Sequence, residues 1–275
     1  PVLATREVSC ETFAGGIVAV ANHVSSFCDY PSLLTILSED GTHGKLVREK
    51  VDPRIQSMFV DVDGSASTIV KRRYIEAYPF QKLFEVYIMD DGGHSPEEAA
   101  AFGSKLRDVL PNYDVVIVTD YGHGMLGPEE IELLSSQARF LAVNTQVNAG
   151  NLGFNTISKY PRADFVCISE SEIRFDARSR RRGLRDIMQE ISDKLSCDRI
   201  LLTRGQKGCL SYGKDEGFCE IPAFTARLVD RIGAGDSVLS VTALCAAQKA
   251  PMEIVGFIGN AVGAEAVATV GNRSS

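Results

Sequence analysis

The stretch Asp230-Arg231-Ile232-Gly233-Ala234-Gly235-Asp236 is where this chain is best equipped to do chemistry. Two glycines flanking an alanine let the backbone turn tightly ahead of the small, apolar run 238–244, so several N–H groups can point outward uncovered. The partial positive charge of a helix N-terminus completes an anion hole suited to a phosphoryl group in flight. Asp236 stands at its mouth, where a carboxylate could take the proton of an attacking hydroxyl. A plain N-cap on a glycine-led helix is the competing reading of Asp236.

Three further stretches bring polar groups to strand ends. Thr203-Arg204-Gly205-Gln206-Lys207-Gly208 follows an apolar run and supplies adaptable backbone there. No G-x-x-x-x-G-K-[ST] element occurs, which disfavours a P-loop nucleotide site. Ser169-Glu170-Ser171-Glu172 and Asp120-Tyr121-Gly122-His123-Gly124 follow two other apolar runs; a solvated helix start competes as the reading of the acids, more strongly for Glu170 than for Glu172. His123 reads as a surface or hydrogen-bonded histidine, and the four histidines show no metal-ligand spacing. Arg178-Ser179-Arg180-Arg181-Arg182 reads as a solvated loop.

The elements that must hold these residues follow from pattern. Ser95-Pro96-Glu97-Glu98 combines an N-cap, a first-turn proline and a capping-box glutamate, predicting a helix to about Leu110. Apolar strands at 114–119, 141–143, 165–168 and 200–203 alternate with helices, among them 183–195 and one opening at Gly127-Pro128. That alternation predicts a parallel sheet covered on both faces, with ligands at the C-terminal strand ends. An antiparallel hairpin is expected over 210–221, and final helices from Asp236 and Pro251. Near the start, 2–8 reads as an edge strand, and Ala14-Gly15-Gly16 opens a helix of small residues. From Arg54 to Met89 strand-like runs are joined by a hairpin near Ala77–Phe80, with Lys71 and Arg73 on one strand face and Arg72 on the other.

At 275 residues, 44% hydrophobic and 24% charged, the chain can bury a full core with a small appendage. A net charge of −7 argues against nucleic acid or an anionic membrane as the main partner. Seven scattered cysteines with no C-x-x-C pair read as reduced thiols of a cytoplasmic protein. The opening Pro1-Val2-Leu3-Ala4, strand-like and without an initiator Met, leads us to expect a piece of a longer protein.

The pattern D-x-x-G-A-G-D resembles the C-terminal signature of the ribokinase-like (PfkB) carbohydrate kinases, and the whole chain is most similar to their heptose 7-phosphate kinase branch. The resemblance implies an α/β three-layer fold with a mainly parallel central sheet flanked by helices and a small β-sheet lid. It places the nucleotide-binding core at 15–53 and 92–275 and the lid at 1–14 and 54–91; the acidic first strand usual in relatives is not found. Asp236 would be the base, with Gly233, Ala234 and Gly235 forming the anion hole. Thr203, Gly205 and Gly208 would approach the nucleotide phosphates and Asn260 the adenine. Gly15, Gly16, Lys71, Arg73 and Asp120 would meet the acceptor, Glu172 would organise Mg2+ through water, and Asp230 is a candidate ligand for a monovalent cation. The implied cofactors are ATP and Mg2+, with K+ as an addition. The implied partners are a small sugar or sugar phosphate and a second copy joined through the lid. Departures from the family pattern stand at Ala19, Ser169, His123 and Arg231-Ile232. A nucleoside kinase on the same scaffold, or a non-catalytic nucleotide- or sugar-binding protein, are the alternatives.

Overall fold

The computed structural model describes residues 4–38, 41–61, 68–77, 80–89, 93–151, 153–224 and 232–268. The helices are α1 (Gly16–Ser25), α2 (Thr42–Lys50), α3 (Pro96–Val109), α4 (Pro128–Gln137), α5 (Glu170–Asp176), α6 (Leu184–Lys194), α7 (Ala234–Ala247) and α8 (Met252–Val267). The strands are β1 (Ser32–Ile36), β2 (Gln56–Val60), β3 (Val70–Ala77), β4 (Phe80–Ile88), β5 (Val116–Asp120), β6 (Leu141–Thr145), β7 (Phe165–Ser169), β8 (Arg199–Thr203), β9 (Cys209–Gly213) and β10 (Gly217–Ile221).

Six strands form the central sheet in the order β10-β9-β8-β7-β6-β5. β5 to β8 run parallel, and the β9–β10 hairpin closes one edge antiparallel. Side chains of successive strand residues leave on opposite faces, and both faces are buried here. Val166, Ile168, Ile200 and Leu202 pack under Leu106, Ile131, Ile173 and Ile187 of α3 to α6. Phe165, Cys167 and Leu201 pack against Val238, Leu239 and Val255 of α7 and α8. This sandwich is the three-layer α/β arrangement expected from the alternating pattern. The α3 start is the capping box read from sequence: Ser95 Oγ accepts from the Glu98 amide at 3.1 Å, and Glu98 Oε2 accepts from the Ser95 amide at 2.8 Å.

The first third departs from expectation. Residues 4–8 form no strand; Val8 is 83% exposed, and with no neighbouring strand to take its amides, weak alternation is not enough. β1 and α2 were not foreseen. The expected strand region 54–91 divides, because β2 pairs in parallel with β1 while, among the described strands, β3 pairs only with β4. Ile55 beside β2 joins Val18, Ala21 and Leu33 in a small core of its own. The tip of the β3–β4 hairpin, Tyr78 and Pro79, lies outside the described residues.

Candidate active site

The N-cap of α7 is Gly233, in the left-handed region at φ 78°, where a side chain would strain the backbone. No side chain caps this helix, and a Cβ placed on Gly235 would meet nothing within 4 Å. Among the described residues the amides of the first turn thus have no side-chain cap, the condition an anion-binding helix start requires. Asp236 is not the cap. It sits in the first turn, 7% exposed, with its carboxylate turned toward the strand ends. Burial pushes its pKa up to about 6; the Tyr121 hydrogen bond and the Lys71 charge pull down, and the neighbouring Glu172 pushes up. A carboxylate tuned near neutrality suits a proton acceptor at physiological pH. Asp230 and Arg231 lie outside the described residues.

Two loops reach Asp236 from the sheet. Tyr121 Oη, at the end of β5, donates to Asp236 Oδ1 at 3.1 Å, and Gln146 Nε2, just past β6, donates to the same atom at 3.1 Å. Sequence reasoning missed both: Tyr121 stood unassigned inside its D-Y-G triplet, and Gln146 carried no signal at all. Gly16, at the start of α1, packs against this pair so closely that a Cβ there would lie 2.5 Å from Asp236 Oδ2 and overlap Tyr121 Oη. Gly15 faces open space. Asn22, a turn further along α1, is committed elsewhere: its side chain binds the Lys50 carbonyl and the Asp52 amide, each at 2.9 Å.

Asp120 is 4% exposed and held by its own loop and by the segment before β7, accepting from the Gly122 amide at 3.0 Å and from Tyr160 Oη at 2.8 Å, with Lys159 ion-paired to it. It shapes the loop that presents Tyr121. In the β3–β4 hairpin, Lys71 lies over the rings of Tyr87 and Tyr121, at 5.0 and 5.8 Å, and its charge acts on Asp236. Burial and then the Arg73 charge lower the Lys71 pKa. Arg73 is paired with Glu85. His123 packs edge-on to Tyr87, and burial with the Lys71 charge takes it down to about 4, so it is neutral near pH 7.

Glu172 serves α5 first. Ser169 Oγ accepts from the Glu172 amide at 3.3 Å and Glu172 Oε2 accepts from the Ser169 amide at 2.9 Å, a full capping box. The serine that departs from the family pattern is thus the N-cap. Burial raises the Glu172 pKa, which weighs against a solvated helix start for this residue: two partly desolvated carboxylates, Glu172 and Asp236, share one neighbourhood. Among the described residues no group of three or more acids, histidines or cysteines could cage a metal.

At the end of β8, Gly205 (φ 56°) opens onto free space, whereas a Cβ on Gly208 (φ 80°) would overlap the Ile221 carbonyl. Thr203 Oγ1 lies 3.5 Å from the Ile168 carbonyl. Asn260 Nδ2 donates to the carbonyls of Ile221 and Pro222, both at 3.1 Å, beside the exposed, edge-on pair Phe224–Phe257. Thr203, Gly205, Gly208 and Asn260 thus gather around the ends of β8 and β10, while Asp236, Gly16, Tyr121 and Lys71 gather around the start of α7.

A three-layer α/β sandwich with an uncapped, glycine-led helix facing a buried carboxylate describes a phosphotransferase scaffold. The chain belongs to the pfkB family of carbohydrate kinases, whose model matches residues 131–275. Bifunctional protein HldE of Actinobacillus pleuropneumoniae is 26% identical over 278 residues, covering 100% of this chain and 56% of the relative. That of Campylobacter fetus subsp. fetus is 22% identical, covering 95% and 56%. The chain thus spans about half the length of the curated relatives it matches. Escherichia coli phosphofructokinase-2, in a complex with substrates and products, superposes with a TM-score of 0.75 at 16% identity, over 97% of this chain and 87% of that one. Ribokinase from Thermotoga maritima gives 0.72 at 17%, over 99% and 87%. These likenesses show a ribokinase-like fold. No helix among the described residues is long and apolar enough to cross a membrane.

Proposed function

We propose that this chain transfers the γ-phosphoryl group of ATP to a hydroxyl of a sugar phosphate, a heptose phosphate being the favoured class. The observation that carries this reading is Asp236, buried, raised to about 6 and standing at the uncapped start of α7. Asp236 takes the proton of the acceptor hydroxyl. The amides of Gly233, Ala234 and Gly235 donate to charge developing on the transferred group. Mg2+, when bound, neutralises phosphate charge, with Glu172 holding one of its waters. Thr203, Gly205 and Gly208 line the phosphate end of the nucleotide and Asn260 its base.

The phosphorylated acceptor is inferred from Lys71, a partly desolvated cation aimed into the site, and from the similarity to the heptose 7-phosphate kinase branch. We assign residues 15–53 and 92–275 to the nucleotide-binding core, with β3 and β4 as the lid. Leu83, Phe84, Val86 and Ile88 expose apolar surface on β4, which supports pairing of two lids in a homodimer. The direct test is a coupled ADP-release assay across sugars, sugar phosphates and nucleosides. Turnover confined to phosphorylated sugars is the expected result; turnover on nucleosides alone would move the chain to the nucleoside kinases, and none at all would make it a binding protein.

A further inference from the structure

Asp236 is held unsymmetrically. Tyr121 Oη and Gln146 Nε2 come from two different loops, yet both donate to Oδ1, each at 3.1 Å. Oδ2 receives neither and faces the bare Cα of Gly16, where a Cβ would stand only 2.5 Å away. The two donors are themselves pinned. The Tyr121 carbonyl accepts from Asn148 Nδ2 at 2.8 Å and Asn151 Nδ2 at 3.1 Å. The Gln146 carbonyl accepts from Asn151 Nδ2 at 2.7 Å and Asn155 Nδ2 at 3.2 Å. Asn151 therefore bonds to both loops at once, so Tyr121 and Gln146 are set relative to one another before either meets Asp236. Burial holds the Tyr121 phenol protonated and hence a donor.

Resting on the phosphoryl-transfer reading, we propose that Tyr121 and Gln146 are positioning residues that anchor Oδ1 of Asp236 and so make Oδ2 the atom that receives the acceptor's proton. The acceptor O–H bond breaks and its proton goes to Oδ2. The freed oxygen pair bonds phosphorus as the bond to the departing ADP breaks, so charge and atoms balance. Hydrogen bonds to the ionised form of a carboxylate also lower its pKa, so the two donors oppose the desolvation of Asp236. The other charged groups bearing on Asp236 are Lys71 from β3 and Glu172 from α5; both variants leave these residues in the chain, and Tyr121→Phe keeps a ring beneath Lys71.

The test uses Tyr121→Phe and Gln146→Leu, which keep bulk and remove one donor each. The first readout needs no turnover: the Asp236 carboxyl is titrated by 13C NMR in the whole chain, its signal assigned with Asp236→Asn. Each variant should raise that titration by about 1 unit, the worth of one hydrogen bond to a charged group. The second is ADP release with ATP and a heptose phosphate, where kcat should fall about tenfold or more while KM for ATP stays within about twofold. An unmoved Asp236 titration in both variants overturns the proposal, as does an equal loss in kcat and rise in KM for ATP, which would mark a structural role. A wild-type chain that releases no ADP with any acceptor, but whose carboxyl titration still moves in Tyr121→Phe, supports the anchoring and retires the kinase reading instead. Should the Phe variant fail to fold, Gln146→Leu decides alone.

Discussion

Arg73 and Glu85 stand directly opposite one another in the β3–β4 hairpin, and Arg73 Nε donates to Glu85 Oε1 at 2.9 Å. Lys82 bears on the same oxygen, and Tyr87 Oη donates to the other at 2.9 Å. Burial pushes the Glu85 carboxyl up, but these partners outweigh it and hold it low, so it stays ionised and offsets Arg73 in place. Lys71, two residues away on the same face, lies over aromatic rings instead. The two lid cations are not equivalent.

Lys71→Ala should therefore raise KM for a sugar phosphate about tenfold or more, and Arg73→Ala by clearly less, because Arg73 is ion-paired to Glu85 while Lys71 is held over aromatic rings beside the site. Glu85→Gln should lower that KM by releasing Arg73. Initial-rate kinetics with the free and phosphorylated sugar read all three. Equal effects of the two cation deletions, or an unchanged KM in Glu85→Gln, would contradict this division.

Asp236→Asn keeps the shape and the Tyr121 hydrogen bond but loses the proton acceptor. Turnover should fall by about 10²–10⁴ with ATP binding preserved. Burial raises the folded carboxyl from 3.8 to about 6, so the stability it contributes is full below the lower value and is lost as pH rises through the upper one. The Asn variant escapes that loss and should be more stable at pH 7 by about 1–3 kcal/mol, read by denaturant titration. In the wild type, kcat/KM should climb through about pH 6 as the carboxyl ionises. A less stable Asn variant, or a flat acid limb, would count against the buried base.

Glu172 joins helix capping to charge, and two substitutions separate them. Gln can still complete the capping box, so Glu172→Gln should leave thermal stability within about 0.5 kcal/mol yet raise the Mg2+ concentration needed for turnover. Glu172→Ala removes both functions and should also cost about 1 kcal/mol. If the Gln variant's Mg2+ titration matches the wild type, Glu172 is a helix cap and nothing more.

Adjacent glycines should respond oppositely. Gly16→Ala drives a Cβ into Asp236 Oδ2 and Tyr121 Oη and should abolish turnover, while Gly15→Ala, with nothing within 4 Å, should be tolerated. Activity at saturating substrate, with circular dichroism as the check on folding, distinguishes them. A fully active Gly16→Ala would refute the close approach.

The central sheet was legible because the strands from 116 to 203 are short apolar runs, and β5 and β7 lead into helices opened by a capping glutamate, so local chemistry and global packing agree. The glycine-led turn before α7 was legible for the same reason. β1 and α2 were not: the α2 sequence THGKLVREK lacks an acidic first turn or a side-chain cap, and packing of its Val47 against the small core of Val18, Leu33 and Ile55 gives it a place. The capping role of Glu172 was not legible, because a capping glutamate and a solvent-facing one look alike in sequence. Tyr121 and Gln146 are 25 residues apart and meet Asp236 only through the topology of β5, β6 and α7, which no local pattern encodes.

Among the described strands β3 and β4 hydrogen-bond only to one another, and a lone two-stranded ribbon in water sits near the edge of stability. Lys71 over Tyr121 and Tyr87 against His123 are ties between that ribbon and the sheet end, and they border the space proposed above for the acceptor. Filling that space and stiffening the ribbon are then a single thermodynamic event. Whatever the proposed acceptor gains in contacts would be reduced by the entropy of stiffening the 8 residues of β3 and the 9 of β4, a cost of roughly a few kcal/mol where folding is coupled to binding. Small changes in the ribbon's intrinsic rigidity should therefore alter acceptor affinity without touching a single acceptor contact.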